Sequence, residues 1–434
     1  AYISHVIPFG PAYKAGLEAG DQIISIDGTL VSGPSSEKKN LTKLLRGTLG
    51  SSVQLKVKRR KKRKILELNF NIRRENISTT SVLRACLVNQ NTGSIKLHSF
   101  ARSTFNEVKY HLQLLQAQGM QNLILDLRDN GGGYLETCNN LADLFLKEGQ
   151  VIVKTQGRIP QHTKTYYATS TINDFETGNL IILINENSAS ASELLAGAIQ
   201  DNDRGLILGR CSHGKGLVQN QYILQDRSAV RITVAKYFTP SGRKVQKPYF
   251  HKKILNASPI TIQSLEELSP QIFNQLPDSL RLYSQKGRRI TGSGGILPDI
   301  YLPPDSILHP PILKEILRKN LFDMFILQNL SEIGRIPNKY SSIRYFQNHY
   351  KVPPHLVRKF ILFAANVLQK KPTCLISEIP KEKIEEYLKA TLAWIYFGPT
   401  GYYTVNLALD YELQKAISTI NNPVAMARLL PSGS

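Results

Sequence analysis

The sequence predicts an α/β protein in three parts: a small β-rich domain over residues 1–75, a βαβ domain over 76–302 and a helical C-terminal extension over 303–434. Three patterns predict it. In the first part, alternating apolar positions flank an Asp27-Gly28 pair, the mark of strands joined by a two-residue turn. In the second, short wholly apolar runs alternate with amphipathic stretches, the rhythm of a largely parallel sheet covered by helices. In the third, after Pro303, Pro304, Pro310 and Pro311, apolar residues recur at helical spacing.

The chain has 434 residues, 41% of them hydrophobic, which is ample for real cores in two or three domains. Its formal charge of +22 suits an anionic partner: a nucleic acid, a membrane surface or an acidic substrate. Cys86, Cys138, Cys211 and Cys374 are widely spaced and form no CxxC pair, so they read as isolated buried thiols rather than a zinc site or a disulfide framework. No run of about 18 apolar residues is present, so no helix of the sequence reads as membrane-spanning. The chain opens at Ala1 on residues that already read as a strand (1–6). The expectation is a truncated start, with an export signal or anchor in the missing segment.

The elements of the first part follow in order. A short helix over 12–17 ends before Gly20. Ile23, Ile24 and Ile26 form a strand that turns at Asp27-Gly28. A second short helix covers 41–46. Val53, Leu55 and Val57 alternate in one strand, and Ile65, Leu66, Leu68 and Phe70 form the returning one. Between these two strands stand Lys58, Arg59, Arg60, Lys61, Lys62, Arg63 and Lys64. Seven adjacent cations repel one another, so they are expected at a solvated hairpin tip. Near an anionic membrane each would contribute about 1 kcal/mol of attraction. No aromatic platform is interleaved, so specific nucleic-acid binding is not expected.

In the second part, residues 93–97 read as a strand. Ser103 can cap a helix whose Phe105, Val108, Leu112 and Leu115 share one face, and Gly119 ends it. A buried strand over 123–127 runs into Asn130, Gly131, Gly132 and Gly133. Such glycines let backbone N–H groups approach a phosphate or a developing oxyanion, although a tight turn also uses them. A second buried strand over 180–184 runs into Asn185, Glu186, Asn187, Ser188, Ala189, Ser190, Ala191, Ser192 and Glu193, which open a helix reaching 200. A serine there can simply cap the helix, but three in alternation exceed what capping needs. A nucleophile at that place gains from the free N–H groups and the helix dipole. It also needs a base. None of His98, His111, His162, His213 or His251 sits in a recognisable triad sequence. Lys215, between Gly214 and Gly216 and after a strand over 206–208, is the candidate; a lysine can serve when desolvation lowers its pKa. Val230, Ile232 and Val234 alternate in a later strand.

Two resemblances are carried by these residues. Pro11, Ala12, Ala15, Gly16, Leu17, Gly20, Asp21, Ile23, Ile26, Asp27 and Gly28 resemble the most recognisable run of a PDZ domain of the bacterial protease type. That implies binding of a peptide C-terminus as an added strand. Residues 187–219 resemble the C-terminal processing peptidases, also called tail-specific proteases. Their pattern has the middle serine of the run, an aspartate 11 residues on, a lysine 25 residues after the serine and a glutamine four further, which fall on Ser190, Asp201, Lys215 and Gln219. Residues 125–133, 236–242 and 294–299 also match, so the resemblance covers about residues 1–305. His213 departs from it, standing where the family usually has Phe.

The resemblance implies a catalytic domain of the ClpP/crotonase-like type and a serine endopeptidase acting near exposed protein C-termini. Ser190 would be the nucleophile, Lys215 its general base and Gln219 the residue that orients the lysine. Asp201 would be structural. The oxyanion hole would use the Ala191 N–H and a glycine N–H, that of Gly132. No metal or cofactor is implied. Substrates would end in apolar tails, and the expected location is the extracytoplasmic side of a bacterial envelope, the periplasm, with a tether in the missing N-terminus. The alternative is a catalytically silent PDZ-bearing scaffold, since one fold hosts many functions.

Overall fold

The computed structural model describes the chain except residues 32–40, 62–63, 78–79, 170–173, 227, 248–272, 275–277, 293, 305–308, 334–339, 341 and 431–434. The chain divides into two units, residues 1–79 with 308–409 and residues 80–307 with 410–434. The helical stretch beyond 303 therefore splits between them.

In the first unit, Asp27 and Gly28 take φ of 46° and 74°, the left-handed pair a tight hairpin needs. They join β1 (Gln22–Ile26) to β2 (Thr29–Leu30). β3 (Ser52–Lys61) and β4 (Lys64–Arg73) complete a sheet of order β2-β1-β3-β4, with α1 (Pro11–Lys14) and α2 (Leu41–Leu45) beside it. Its core is Leu17, Ile23, Ile26, Val31, Val53, Leu55, Val57 and Ile72. The opening strand expected at 1–6 reduces to a bridge between Tyr2 and Gln22. The helices Pro311–Arg318, Leu321–Ile333, Ile343–His349, Pro354–Leu368, Pro372–Glu378 and Lys381–Val405 build a second core around Phe322, Phe325, Phe346 and Phe360. The last of them breaks at Gly398 (φ 69°), where Pro399 can supply no N–H to the ladder.

The run of cations is not a solvated tip throughout. The β3–β4 ladder continues through it to the Lys61–Lys64 pair; Lys62 and Arg63 of the run lie outside the described residues. Strand geometry sends alternate side chains to opposite faces. Arg59 accordingly folds onto the body of the domain. It donates to both oxygens of buried Asp21 at 2.7 Å and to Glu18 at 3.0 Å. Lys56 and Lys58 pair with Glu67 across the ladder, at 2.8 and 3.7 Å.

In the second unit, β5 (Val82–Leu87), β6 (Thr92–Leu97), β7 (Asn122–Asp126), β10 (Asn179–Ile184), β11 (Leu206–Gly209) and β16 (Ile300–Tyr301) form a six-stranded sheet of order β16-β11-β10-β7-β6-β5. All its pairings are parallel except β5 with β6. β7 and β11 are buried at every position and β10 at all but its first, which is why they read as unbroken apolar runs. A second sheet, of order β12-β13-β8-β9 and wholly antiparallel, is made by β8 (Val151–Gly157), β9 (Lys164–Tyr167), β12 (Leu217–Ile223) and β13 (Ala229–Phe238). The sequence pattern marked β13 of this sheet, by the alternation of Val230, Ile232 and Val234, but not β12, which is partly exposed and carries little apolar contrast.

Among the described residues, α3 (Thr104–Ala117), α4 (Leu135–Asp143), α5 (Ala191–Asp201) and the helix Tyr411–Ile420 cover the large sheet, α5 being buried along its whole length. Ser103 makes no side-chain cap on α3. Instead Thr104 Oγ1 accepts the Ala101 N–H at 2.8 Å. β7, β10 and β11 lie side by side and run the same way. The loops leaving their C-terminal ends, 127–133, 185–190 and 210–216, therefore emerge together, which is where open α/β sheets place their sites.

Asp21 is buried and Arg59 supplies both of its short charged contacts, whereas Arg60, Lys61 and Lys64 are exposed. Arg59→Gln is expected to destabilise the first unit by about 3 kcal/mol, the order of cost for orphaning a buried charge. The triple change of Arg60, Lys61 and Lys64 to Gln should stay within about 0.5 kcal/mol per site. Denaturant unfolding curves of the full chain, read for the transition of this unit, check both.

Candidate active site

The β10–α5 junction tells its three serines apart. Ser188 Oγ donates to the Leu127 carbonyl at 2.8 Å and accepts the Asn185 N–H at 2.9 Å. Ser192 Oγ donates to the Asn130 carbonyl at 2.8 Å. Both are fully buried and hold the junction to the neighbouring loop. Ser190, between them, is only partly buried and sits at φ 56°, ψ −115°. That is a costly conformation for a residue with a Cβ, of order 1–3 kcal/mol, and such strain persists only where the surroundings impose it. A serine held this way on a sharp strand-to-helix turn has the geometry of a nucleophile elbow.

The glycine loop presses directly against this turn. Gly132 has φ 91°, and a Cβ there would fall 2.6 Å from Ala189 O, 2.8 Å from Ala191 N and 2.9 Å from Ser190 Cβ. Only glycine allows that approach. The Ala189 N–H donates to the Asn130 carbonyl at 3.0 Å and so ties the two loops together. The structure thus brings Gly132 and Ala191 beside Ser190. The Gly132 N–H, however, is engaged by Asn130 Oδ1 at 2.9 Å. Under the start of α5, Cys138 Sγ donates to the Ala191 carbonyl at 3.3 Å. Burial pushes this thiol up to about 12, so it stays a neutral S–H and does not compete as a nucleophile.

Glu193 is the residue that sequence reading passed over. Its side chain is fully buried and accepts four hydrogen bonds: from the Ser190 N–H at 2.8 Å, the Lys215 N–H at 2.9 Å, the Gly214 N–H at 2.6 Å and Ser212 Oγ at 2.6 Å. One carboxylate therefore holds the backbones of Ser190 and Lys215 together. A signal for half of this was present: Ser190-x-x-Glu193 is the spacing of a capping box. The other half, the loop 212–215, comes from a different strand.

Lys215 is placed by its backbone only. Its side chain is exposed, and among the described residues its ammonium has no hydrogen-bond partner, Ser190 included. Gln219 lies on β12, also exposed, at an irregularity in the pairing with β13. It lines a cavity of about 380 Å³ with Gly133, Tyr134, Tyr166 and Tyr237. His213 is exposed, and its N–H donates to the Ser188 carbonyl at 2.9 Å. Asp201 ends α5, about 16 Å along the helix from Ser190. There it accepts from Arg243 at 2.6 Å and from the Ser241 hydroxyl at 2.6 Å, a buried structural pair.

Known proteins match these same regions. Residues 91–254 match peptidase family S41, and residues 2–59 match a PDZ domain. The two matches follow one another along the chain, the PDZ domain first and peptidase family S41 after it. The chain is 36% identical over 230 residues to carboxyl-terminal-processing peptidase 1, chloroplastic, of Arabidopsis thaliana, covering 52% of this chain and 46% of that protein. It is 34% identical over 242 residues to the carboxyl-terminal-processing protease of Synechocystis, covering 55% and 54%. The chain spans about half the length of the curated relatives it matches. A solved structure of a photosystem II D1 C-terminal processing protease is 27% identical, covers 73% of this chain and 71% of that one, and has a TM-score of 0.38. Within the S41 match, the strained serine, the glycine loop and the glutamate joint all lie between residues 130 and 215.

Because the strain at Ser190 is in the backbone, glycine should relieve it. Ser190→Gly is expected to raise stability by about 1 kcal/mol, while Ser190→Ala, which keeps a Cβ, gives no such gain. Thermal unfolding of the two variants beside the parent chain checks this, and equal melting temperatures for Gly and Ala would contradict the strained backbone.

Proposed function

We propose that the chain is a serine endopeptidase that cleaves protein substrates near their C-termini, with Ser190 as nucleophile and Lys215 as general base. The observation that carries the reading is Ser190 itself, strained at the head of α5 while both flanking serines are spent on backbone carbonyls. In the reaction Ser190 Oγ attacks the scissile carbonyl carbon and its proton passes to Lys215 Nζ. The oxyanion that forms is met by the Ala191 N–H and a glycine N–H of the 131–133 turn. Collapse breaks the C–N bond, Lys215 returns the proton to the leaving amine, and water then cleaves the acyl-serine by the same route.

Two side-chain movements complete the site. Lys215 must turn its exposed ammonium toward Ser190, from a backbone that Glu193 holds to the Ser190 turn. Asn130 must release the Gly132 N–H. Catalytic hydrogen bonds commonly tighten only once substrate is bound. Gln219 would then orient the lysine.

In this reading residues 1–75 take the substrate's tail by strand addition and residues 76–302 cut. The matches to carboxyl-terminal-processing proteases of bacteria and chloroplasts support that division of labour. We place the protein on the extracytoplasmic side of a bacterial envelope. Exposed Arg60, Lys61 and Lys64 support an approach to anionic membrane, weaker than seven free cations would give because Arg59 and Lys58 are paired.

Ser190→Ala, Lys215→Ala and Lys215→Arg are each expected to abolish cleavage of a peptide substrate, by at least about a thousandfold in kcat, without unfolding. Arginine keeps the charge but cannot act as a base. The losses should not add, since the pair acts as one unit. Substantial turnover by Lys215→Arg contradicts the assigned base, and cleavage that survives Ser190→Ala returns the chain to a scaffold. For the membrane, the Arg60, Lys61 and Lys64 triple change to Gln should reduce co-sedimentation with anionic liposomes while peptide cleavage stays the same; unchanged binding removes these residues from that role.

A further inference from the structure

We propose that Glu412 and Asp410 are positioning residues for the reaction, locking the roots of the three loops that carry Gly132, Ser190 and Lys215. The catalytic part of this inference rests on the peptidase reading above; the mechanical part does not.

The last stretch of the chain, from Asp410 onward, belongs to the unit that holds the candidate site. Its helix Tyr411–Ile420 packs against β10 and β7, the strands that end in two of the three loops. Asp410 caps this helix by accepting the Leu413 N–H at 3.0 Å. The same carboxylate takes both guanidinium arms of Arg128, at 2.8 and 2.6 Å. Arg128 stands four residues before Gly132 and is also bound to Asp126, at the end of β7, at 2.9 and 2.7 Å.

Glu412 is the node. One of its oxygens accepts from Arg128 at 2.8 Å, and the other pairs closely with Arg210. Arg210 begins the loop that leads to Lys215. It also donates to Glu186, four residues before Ser190, at 2.7 Å. One carboxylate from the tail thus joins the root of the glycine loop directly to the root of the lysine loop, and through Arg210 to the nucleophile turn. Burial alone would raise the Asp410 carboxyl, but the Arg128 guanidinium overrides it and holds the group below the usual carboxylate range. The pair is therefore ionised wherever the enzyme is folded near neutral pH.

Docking of the tail does not require these charges. Leu413, Ala416 and Ile420 are buried and supply an apolar face. Burying ion pairs rarely improves on apolar packing, whereas removing one member leaves its partners exposed to one another in a poorly solvated place. Without Glu412, Arg128 and Arg210 would lose their shared counter-ion and repel. The geometric consequence falls on the loops they root, and displacements of about 1 Å there can cost two orders of magnitude in rate.

The test uses the full chain with Glu412→Gln and Asp410→Asn, read in two ways. For turnover of a peptide substrate, kcat should fall by about tenfold to a hundredfold with KM nearly unchanged. Glu412→Asp should recover part of the loss, and Lys415→Gln, exposed on the same helix, should behave as the parent chain. Leu413→Ala, which weakens docking but keeps both carboxylates, should lower the melting temperature while kcat per folded molecule is retained. For hydrogen exchange, amides of residues 129–133 and 210–216 should exchange at least about tenfold faster in Glu412→Gln, with the strands of the large sheet unaffected. Unchanged exchange in both loops overturns the inference whether or not the chain is a peptidase. A loss of kcat in Leu413→Ala equal to that in Glu412→Gln overturns it too, since the helix would then act only as packing. If the parent chain shows no Ser190-dependent cleavage, the peptidase reading falls, and exchange alone decides the clamp.

Discussion

A carboxylate buried beneath the candidate site constrains everything around it. Glu193 has no water to solvate it, so its two oxygens must be met by protein donors, and four donors meet them. Because those donors belong to Ser190 and to the loop 212–215, satisfying the charge also sets the distance between the Ser190 turn and the backbone of Lys215. A glutamine could not do the same, having one acceptor oxygen and an NH₂ that would face N–H groups. The strain at Ser190 follows from the same demand. Its N–H is held inward by Glu193 while the crowding at Gly132 fixes its Cβ.

The large sheet makes this joint possible. β7, β10 and β11 are adjacent and parallel, so their following loops lie in a row with the nucleophile turn in the middle. Each neighbour contributes what the middle loop lacks. The β7 loop brings a backbone that approaches within contact distance of Ser190. The β11 loop brings a lysine whose backbone is held by Glu193 and whose side chain is exposed. Charged pairs stand at the roots of the loops, and Lys215 and Asn130 lie further along them. The arrangement suits a site completed on substrate binding.

Charge repeats the lesson elsewhere in the chain. The formal charge of +22 points to an anionic partner, yet several arginines of the chain are turned inward onto carboxylates. Arg59 lies against Asp21, Arg128 against Asp126, Asp410 and Glu412, Arg210 against Glu412, and Arg243 against Asp201. These cations shape the interior and its loops; their acidic partners are already counted in the net charge, so the +22 is carried by the other basic residues of the chain.

Local order was readable from the residues alone. Apolar runs marked β7, β10 and β11 because strands buried on both faces leave no polar alternation. Asp27-Gly28 specified its turn because only such pairs take two positive φ angles cheaply. The glycines at 131–133 and the serine run at 188–192 marked the two junctions where chemistry could be placed. Neither choice among the serines nor the engagement of the Gly132 N–H was readable, because Ser188 and Ser192 are spent on carbonyls more than sixty residues away and their partners depend on the register of β10 with β7. The exposed lysine side chain, Arg59 folded out of its run and the return of the chain after Asp410 to the unit of residues 80–307 share that cause. Periodicity and spacing report what a residue meets within a few positions along the chain. Which buried charge meets which partner is decided by strand order and by the requirement that every such charge be paired, and both exist only in the folded chain.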